Sequence, residues 1–348
     1  MWIQIVGNRS WNRETREETA RKQSMPNPFR LGFLSHLRGR ADAEQAYREN
    51  LEIFDAADRL GFDAVWVAQH HFKDLGGMLP SPFPFLAAVA QRTRRLRLGT
   101  SIIVLPFEHP LRVAEDAAVV DMISSGRLEL GVGSGSDADE FEAFGVDIDS
   151  RHQRTTDALI TLKRALAGET LGEDNQRLRP PAPTLGDRLW LSALSIRGAQ
   201  YAAQNDAGLL LSRFVGSEEQ AAGQEQEPVA VAFREAWGER SLPPRIGLSR
   251  GIYLGSDHED ALSQIESFAM GGIPSDLTPE GFCQRVHIAY GAPEDVAARL
   301  SSDRVLPYTT DLILQFDPIH PPLERILEML EQVAKEVAPA LGWRPTTR

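Results

Sequence analysis

Short runs of β-branched and aliphatic residues alternate with longer amphipathic segments from Arg30 onwards. The segment over 43–60 shows the helical period clearly, because Tyr47, Leu51, Phe54 and Ala57 recur at spacings of three and four. The short runs are typical of strands, and strands that alternate with helices are typical of βα units in a parallel sheet. The pattern therefore predicts an α/β protein.

The number of these units predicts the fold class. Eight strand-like runs are each followed by a helical segment, which favours a closed (β/α)8 TIM barrel, with an open doubly wound sheet as the alternative. We predict a single barrel domain over 29–345, a disordered N-terminal extension over 1–28, and rim insertions over 214–226 and 269–289. The predicted strands are 30–35, 64–68, 96–104, 128–132, 190–193, 208–212, 246–254 and 312–316.

Composition and charge exclude several classes of function. The 348 residues are 42% hydrophobic and 25% charged, enough to bury a large core, and no apolar run approaches the ~20 residues that span a bilayer. The net charge of −12 disfavours nucleic acid and anionic lipid as partners. The single cysteine, Cys283, allows no intrachain disulfide and no metal cluster. We expect a cytoplasmic protein that binds no nucleic acid, membrane or metal.

Active sites of (β/α)8 barrels form at the carboxyl ends of the strands, where this chain carries two adjacent histidines. His70 and His71 follow the second predicted strand, and neighbours in an extended segment point to opposite sides. One imidazole is therefore expected to face the barrel mouth, where it suits proton transfer near neutral pH. Two structural histidines in a polar loop are the alternative. We assign His109, which precedes Pro110 at a helix start, to capping or packing.

Two further strand ends have features that suit a phosphate group. Gly131, Gly133 and Gly135 follow the fourth strand, and glycines let backbone amides approach a ligand, although a flexible strand exit reads the same way. The fifth strand runs directly into a helix at Ser195, whose first amides lack partners within the helix. An ordinary N-cap serine has the same sequence signature.

Several segments together carry a resemblance to a known family. They are GFDAVWVAQHHF, the stretch from PSPFPF to LGVGSG, EFEAFGV and WLSALSIRGAQYAAQNDAGLLLS. The chain resembles the bacterial luciferase-like flavin monooxygenases. That resemblance implies a luciferase-like barrel that binds FMN, supplied reduced by a separate flavin reductase. It also implies a reaction of O2 through a flavin hydroperoxide on a small organic substrate, and a homodimer paired through helices that flank the second and third strands.

The resemblance also implies roles for particular residues of this chain. His70 matches the active-site histidine, and a cis peptide bond that lies beneath the flavin ring in the family matches Ser101 and Ile102. The family's phosphate contacts fall on four residues after the fifth strand. They are Leu194, Ser195, Ile196 and Gly198.

The chain departs from the luciferases at the phosphate end. Ser134 replaces an arginine that reaches the flavin phosphate, Gly133 replaces a reactive cysteine, and Leu194 replaces an acidic residue. Losing a charge-assisted contact predicts weak, exchangeable flavin binding unless another arginine substitutes. Arg213, after the sixth strand, is the candidate by location.

Three functions are compatible with these features. The first is an FMN-dependent monooxygenase acting on a rather apolar compound, because Phe33, Phe72, Phe83 and Phe107 are expected to rim the mouth. The second keeps the fold but uses a deazaflavin cofactor for hydride transfer without oxygen. The third is a non-catalytic flavin-binding protein.

Overall fold

The computed structural model describes residues 28–38, 42–73, 77–173, 175–213 and 223–345. Within these residues, parallel strands close into the predicted (β/α)8 barrel. The last barrel strand, over 311–315, pairs with the first strand, over 30–35, and with the strand over 246–254. The predicted extension over 1–28 lies outside the described residues apart from Pro28, as does most of the insertion over 214–226.

The strands and helices alternate along the chain. The strands are β1 (Arg30–Ser35), β2 (Ala64–Val67), β3 (Arg97–Thr100), β4 (Ile103–Val104), β5 (Leu128–Gly133), β6 (Leu189–Ser192), β7 (Gly208–Leu211), β8 (Ile246–Leu254), β9 (Ile288–Gly291) and β10 (Asp311–Gln315). The helices are α1 (Ala43–Leu60), α2 (Pro82–Arg92), α3 (Pro110–Ile123), α4 (Ala138–Ala143), α5 (Arg151–Leu166), α6 (Ile196–Gln204), α7 (Glu227–Trp237), α8 (His258–Phe268), α9 (Pro279–Arg285), α10 (Pro293–Ser301), α11 (Leu323–Gln332) and α12 (Ala338–Ala340).

The structure differs from the sequence prediction at two strands. The run over 96–104 is interrupted between Thr100 and Ile103, which separates β3 from β4, although both pair with β5. The segment over 269–289 is more than a rim loop, because it contains α9 and leads into β9. The sequence pattern did not predict β9, because this strand is only four residues long. β9 pairs with β8 from Gly251 onwards, and Gly251 is the last residue of β8 that pairs with β10.

Two hydrophobic cores hold the barrel together. The larger lies between the sheet and the surrounding helices, and the smaller fills the barrel interior around Trp66, Trp190, Leu210 and Ile313. The two tryptophan rings meet edge to face at 5.7 Å between centroids. The interior is therefore a packed floor, and ligands are confined to its rim.

Gly99 makes room for this floor, since a Cβ atom at that position would overlap the Trp66 ring. We expect Gly99→Ala to lower the free energy of unfolding by about 1–3 kcal/mol, because the fully buried indole has no free space to move into. Urea titration measures the loss. Gly186→Ala is the matched control, because nothing lies within 4 Å of its added Cβ. Equal midpoints for the two variants would contradict this account.

Candidate active site

The predicted site residues follow consecutive strands around the barrel mouth. His70 follows β2, Ser101 and Ile102 follow β3, Gly133 ends β5, and Ser195 follows β6. These strands are neighbours in the sheet, so the fold brings the residues into one arc. Arg213 follows the next strand, β7.

The peptide bond between Ser101 and Ile102 is cis, as the resemblance implied. The Ser101 amide donates to the Val67 carbonyl at 2.7 Å, which holds this bond against the end of β2. The Thr100 hydroxyl donates to the Gly131 carbonyl at 2.7 Å and accepts from the Gly131 amide at 2.9 Å. The Thr100 side chain thus pairs with the amide and carbonyl of Gly131 at the point where the backbone pairing between β3 and β5 is interrupted.

Gly133 lies opposite Ile102, and a Cβ atom there would overlap the Ile102 side chain and approach the Ser192 Cβ at 3.4 Å. Ile102 therefore occupies the space that a side chain at position 133 would need. Ile102 also packs on the interior core. Gly133 accordingly has a packing reason as well as a place in the predicted flavin site.

The turn at Ser195 has the geometry expected of an anion site at a helix start. The Ser195 hydroxyl accepts from the Gly198 amide at 3.1 Å, so it caps α6. Leu194 and Ile196 are 55% and 48% exposed, which is unusual for large apolar side chains. Arg197, exposed in the same turn, brings a positive charge that the sequence analysis did not consider. Ser134 is half-buried after the adjacent β5.

His70 belongs to a hydrogen-bonded chain that runs along the mouth over the neighbouring strands β2, β1, β10 and β8. Its Nε2 lies 2.8 Å from Nδ1 of His36, whose Nε2 lies 3.3 Å from Oε1 of Gln315. The Gln315 amide donates to the Ser249 hydroxyl at 2.6 Å, which leaves Oε1 as the acceptor for His36. His36 therefore carries its proton on Nε2, His70 donates from Nε2, and Nδ1 of His70 is left as an acceptor.

Both imidazoles are neutral at physiological pH. Burial lowers the pKa of His70 to about 3, and the neighbouring His36 and Arg38 act in the same direction. Burial lowers the pKa of His36 to about 4 against the opposing effect of Asp317. The pair is thus a neutral relay with a fixed direction of donation.

A charged group borders the relay. Burial alone would raise the pKa of Asp317, but His36, Arg38 and Arg213 hold it below its ordinary value. Arg38 Nη1 lies 3.3 Å from Oδ1 of Asp317. The Arg213 guanidinium donates to the Asp317 carbonyl, and burial lowers its pKa to about 10, so it stays charged. Arg213 is thus directed to the β10 side of the mouth, whereas Ser134 and Ser195 follow β5 and β6.

His71 and the predicted aromatic rim are arranged differently from the expectation. His71 is buried and turns away from His70, with its ring 4.8 Å from Phe144 and 5.9 Å from Phe107. Phe33 and Phe83 belong to the core between sheet and helices, so their placement at the mouth was wrong. Successive side chains of a strand point to opposite faces of the sheet. Gly32 and Leu34 face the barrel interior, so Phe33 between them faces the helices.

Sequence reasoning missed His36, Gln315 and Ser249. His36 follows β1 as His70 follows β2, and the inward positions of β1 are the even-numbered ones. Inspecting each strand end for inward polar residues would have found it. Predicting Gln315 and Ser249 would have required the register of β10 against β8, in which Leu314 pairs with Arg250 and Gln315 pairs with Gly251.

Comparison with known proteins assigns the chain to a family. The model of the luciferase-like monooxygenases matches residues 28–306. The chain belongs to the luciferase-like monooxygenase family. In this chain the barrel places His70 and the Ser101–Ile102 cis bond directly after two adjacent strands, as the sequence predicted.

Relatives of known activity match parts of the chain. The oxygenase component of the flavin-dependent trigonelline monooxygenase of Acinetobacter baylyi is 30% identical over 252 residues, which cover 67% of each chain. Limonene 1,2-monooxygenase of Rhodococcus erythropolis is 41% identical over 137 residues, 38% of this chain and 34% of that protein. The alignment with the limonene enzyme thus spans about a third of its length.

Solved structures share the fold over nearly the whole chain. Monooxygenase RslO1 of Streptomyces bottropensis superposes with a TM-score of 0.76 at 26% identity, covering 89% of this chain and 99% of that one. The oxygenating constituent of 3,6-diketocamphane monooxygenase of Pseudomonas putida, in complex with FMN, gives 0.71 at 16% identity, over 89% and 98%. An F420-dependent secondary alcohol dehydrogenase gives 0.68 at 17%, over 91% and 99%. Both flavin and deazaflavin proteins therefore share this barrel.

No helix within the described residues is long and apolar enough to cross a membrane.

Proposed function

We propose that this chain is the oxygenase component of a flavin-dependent monooxygenase, which uses reduced FMN and O2 to oxygenate a small organic substrate. The observation that carries the proposal is the arc of strand ends that brings His70, the Ser101–Ile102 bond and the Ser195 turn to one side of the mouth. Membership of the luciferase-like family and a relative named as a flavin-dependent oxygenase component support it.

The residues present fit an FMN phosphate at the Ser195 turn. The amides of Ile196 and Arg197 make no hydrogen bond with other described residues, and they begin a nine-residue helix whose dipole favours an anion. We propose that Leu194, Ser195, Ile196 and Gly198 hold the phosphate by this turn, with Ser134 beside it. Arg197 supplies the positive charge for the phosphate. Arg213 contacts Asp317 on the other side of the mouth.

Bound reduced FMN supplies the electrons that activate O2, and the protein supplies the surroundings. We propose that Ser101 and Ile102, whose side chain covers Gly133, form the floor on which a flat ring can rest. We propose that His70 offers Nδ1 as a hydrogen-bond acceptor to the ligand while Nε2 donates to His36. The packed interior below keeps water from entering through the barrel.

The proposal includes partners and location. A separate reductase supplies the reduced flavin, and the protein works in the cytoplasm. We propose a homodimer, which is supported by exposed apolar residues on α3, a helix that follows β4. Val119, Met122 and Ile123 are 44%, 58% and 41% exposed.

A deazaflavin-dependent hydride transferase is the second candidate, because F420 enzymes are structural neighbours. Fluorescence titration with FMN and with F420 separates the two. We expect FMN to bind more tightly, and Ser195→Ala to raise the Kd for FMN about tenfold, since a hydrogen bond to a charged group is lost. Thr278→Ala is the matched control, because Thr278 caps α9 through Gly281 at the same 3.1 Å. Preference for F420 would overturn the choice of cofactor.

Turnover separates an oxygenase from a flavin-binding protein that has no activity. The protein is supplied with FMN, NADH, a flavin reductase and isotopically labelled O2, together with a panel of terpenes and cyclic carboxylates. We expect one label atom in the product of at least one compound. Flavin oxidation at the rate of the protein-free mixture, with no labelled product from any compound, would contradict the proposed reaction.

A further inference from the structure

A buried carboxylate, that of Glu140, lies beside His70. Glu140 belongs to α4, which follows β5, and its side chain is 8% exposed. Its Oε1 accepts from the His71 amide at 2.9 Å and lies 3.9 Å from Nδ1 of His70. Its Oε2 makes no hydrogen bond with the other described residues. The carboxylate therefore has acceptor capacity left next to the active-site imidazole.

The facing atom of His70 is an acceptor as well. The chain through His36 and Gln315 makes Nε2 of His70 a donor, which leaves a lone pair on Nδ1. Gly77 covers the Cδ2 edge of the ring, because a Cβ atom at Gly77 would lie 3.2 Å from Cδ2. The His70 side chain is nevertheless 28% exposed, so a ligand at the mouth can approach its Nδ1 edge.

Two acceptors that face each other call for a donor between them. A nitrogen about 2.9 Å from each atom fits between positions that are 3.9 Å apart, and two N–H bonds on that nitrogen satisfy both. A positive donor suits the carboxylate best, because charge-assisted hydrogen bonds are about twice as strong as neutral ones. A protonated amine has both properties.

The charges near Glu140 also favour a cation. Lys73 pairs with Asp137 at 2.7 Å and with Asp139 at 2.8 Å, so one lysine is shared among three carboxylates. Burial raises the pKa of Glu140, and Asp137 adds to this effect against the His71 amide and Lys73. A positive group beside the Glu140 carboxylate would offset both the burial and the repulsion.

Exposed aromatic rings stand on the same two loops. Phe72 is 74% exposed and Phe144 is 39% exposed, and their ring centroids are 5.4 Å apart. Phe107 stacks on Phe144 at 4.5 Å and supports it. Phe72 has a φ of 60°, which is uncommon for a bulky residue, and its ring faces solvent instead of the core. These rings offer a surface to the organic part of a ligand.

We infer that Glu140 and Nδ1 of His70 together bind the protonated amino group of an organic amine, whose apolar part packs on Phe72 and Phe144. The inference rests on the proposed function only in taking this amine as the substrate of the oxygenase. Glu140 is then a specificity-determining residue, because its carboxylate favours a positive donor over a neutral or negative group.

Isothermal titration of the full chain with benzylamine and benzyl alcohol tests the inference, because benzylamine is protonated at neutral pH and the alcohol is its neutral counterpart of similar size. We expect benzylamine to bind at least tenfold more tightly, since a charge-assisted hydrogen bond replaces a neutral one. In turnover, benzylamine should compete with any compound that the protein oxygenates. Equal affinities, no binding of benzylamine, or binding without competition would overturn the inference.

Glu140→Gln is the informative variant, because glutamine keeps the size of the side chain and an oxygen that accepts from the His71 amide. Its amide can also donate to Nδ1 of His70, where it takes the place of the ligand's donor. We expect at least tenfold weaker binding of benzylamine and an unchanged Kd for FMN. Glu142→Gln is the matched control, because it removes the same charge from an exposed position of α4 and should leave benzylamine binding unchanged.

The variants separate this inference from the proposed function. Full benzylamine affinity in a folded Glu140→Gln protein, or an equal loss in Glu142→Gln, would refute the site. Intact benzylamine binding without labelled product from any compound would support the amine site and contradict the proposed oxygenase reaction.

Discussion

Replacing His70 by glutamine is expected to lower kcat by about a hundredfold or more for any compound that the wild-type protein oxygenates. Glutamine keeps a hydrogen bond to Nδ1 of His36 but removes the imidazole Nδ1 acceptor, and loss of one positioned hydrogen-bonding group of an active site costs about 10²–10³-fold. We expect the Kd for FMN to change little, because the phosphate turn follows a different strand. Steady-state kinetics and flavin titration measure the two quantities separately.

Two further variants give this prediction its controls. His36→Gln is expected to give a smaller loss of kcat and a displaced pH profile, since His36 acts through His70 as a positioning residue. His109→Gln should be silent, because His109 is exposed and its side chain makes no cap bond at α3. A kcat for His70→Gln within threefold of wild type would remove the histidine from the reaction.

The relay also has a signature that is independent of catalysis. His70 and His36 have pKa values of about 3 and 4 in the folded protein, below the 6.5 of the free side chain. The unfolded chain therefore binds more protons below pH 6.5, and stability falls as the pH drops from 6.5 towards 4. Part of this loss should disappear in His36→Gln.

Replacing Glu129 by glutamine is expected to lower the free energy of unfolding by about 3–5 kcal/mol, the usual cost of breaking a buried ion pair from one side. Glu129 is 1% exposed at the bottom of the barrel. Oε1 accepts from Arg97 and from Arg30 at 2.9 Å, and Oε2 accepts from the Trp190 indole at 2.7 Å. Glutamine fits the space but leaves these guanidinium groups without their shared charge. Urea unfolding at pH 7 measures the change.

The electrostatics of this group fix the sign of its pH dependence. Burial alone would raise the pKa of Glu129, but Arg30, Arg97 and the Trp190 indole lower it on balance. A lowered carboxyl pKa contributes stability at neutral pH that is lost as the pH falls through that pKa. The variant should therefore differ less from wild type in acid.

Glu331→Gln is the matched control for this loss. Glu331 pairs with Lys335 on the surface of the C-terminal helical segment, where both side chains are at least half exposed. Surface pairs contribute about 0–1 kcal/mol, so its unfolding midpoint should hardly move. Similar losses for the two variants would show that the buried network contributes no more than a surface pair.

The choice between FMN and F420 depends on local contacts, because proteins of both kinds share the fold. The Ser195 turn is the proposed phosphate site in either case, and the neutral His70 is the proposed contact beside the ring. Titration and labelled O2 therefore decide what a superposition cannot.

The sequence by itself determined the barrel and the arc of the candidate site. The pattern of hydrophobic residues located the barrel strands, because the buried faces of strands and helices place apolar residues at regular spacings along the sequence. The resemblance located His70 and the cis bond between Ser101 and Ile102, because both lie in contiguous motifs. Adjacent strand ends must meet at one mouth, so local motifs fixed this half of the site.

Only the tertiary structure decided which residues become partners where the barrel closes. His36 meets Gln315, 279 positions later, because closure places β1 beside β10. The order β7, β8, β10 likewise brings Arg213, after β7, to Asp317, after β10, and β8 leaves β10 for the short β9. Side-chain direction and register across the seam depend on packing of the whole sheet, and no local pattern encodes them.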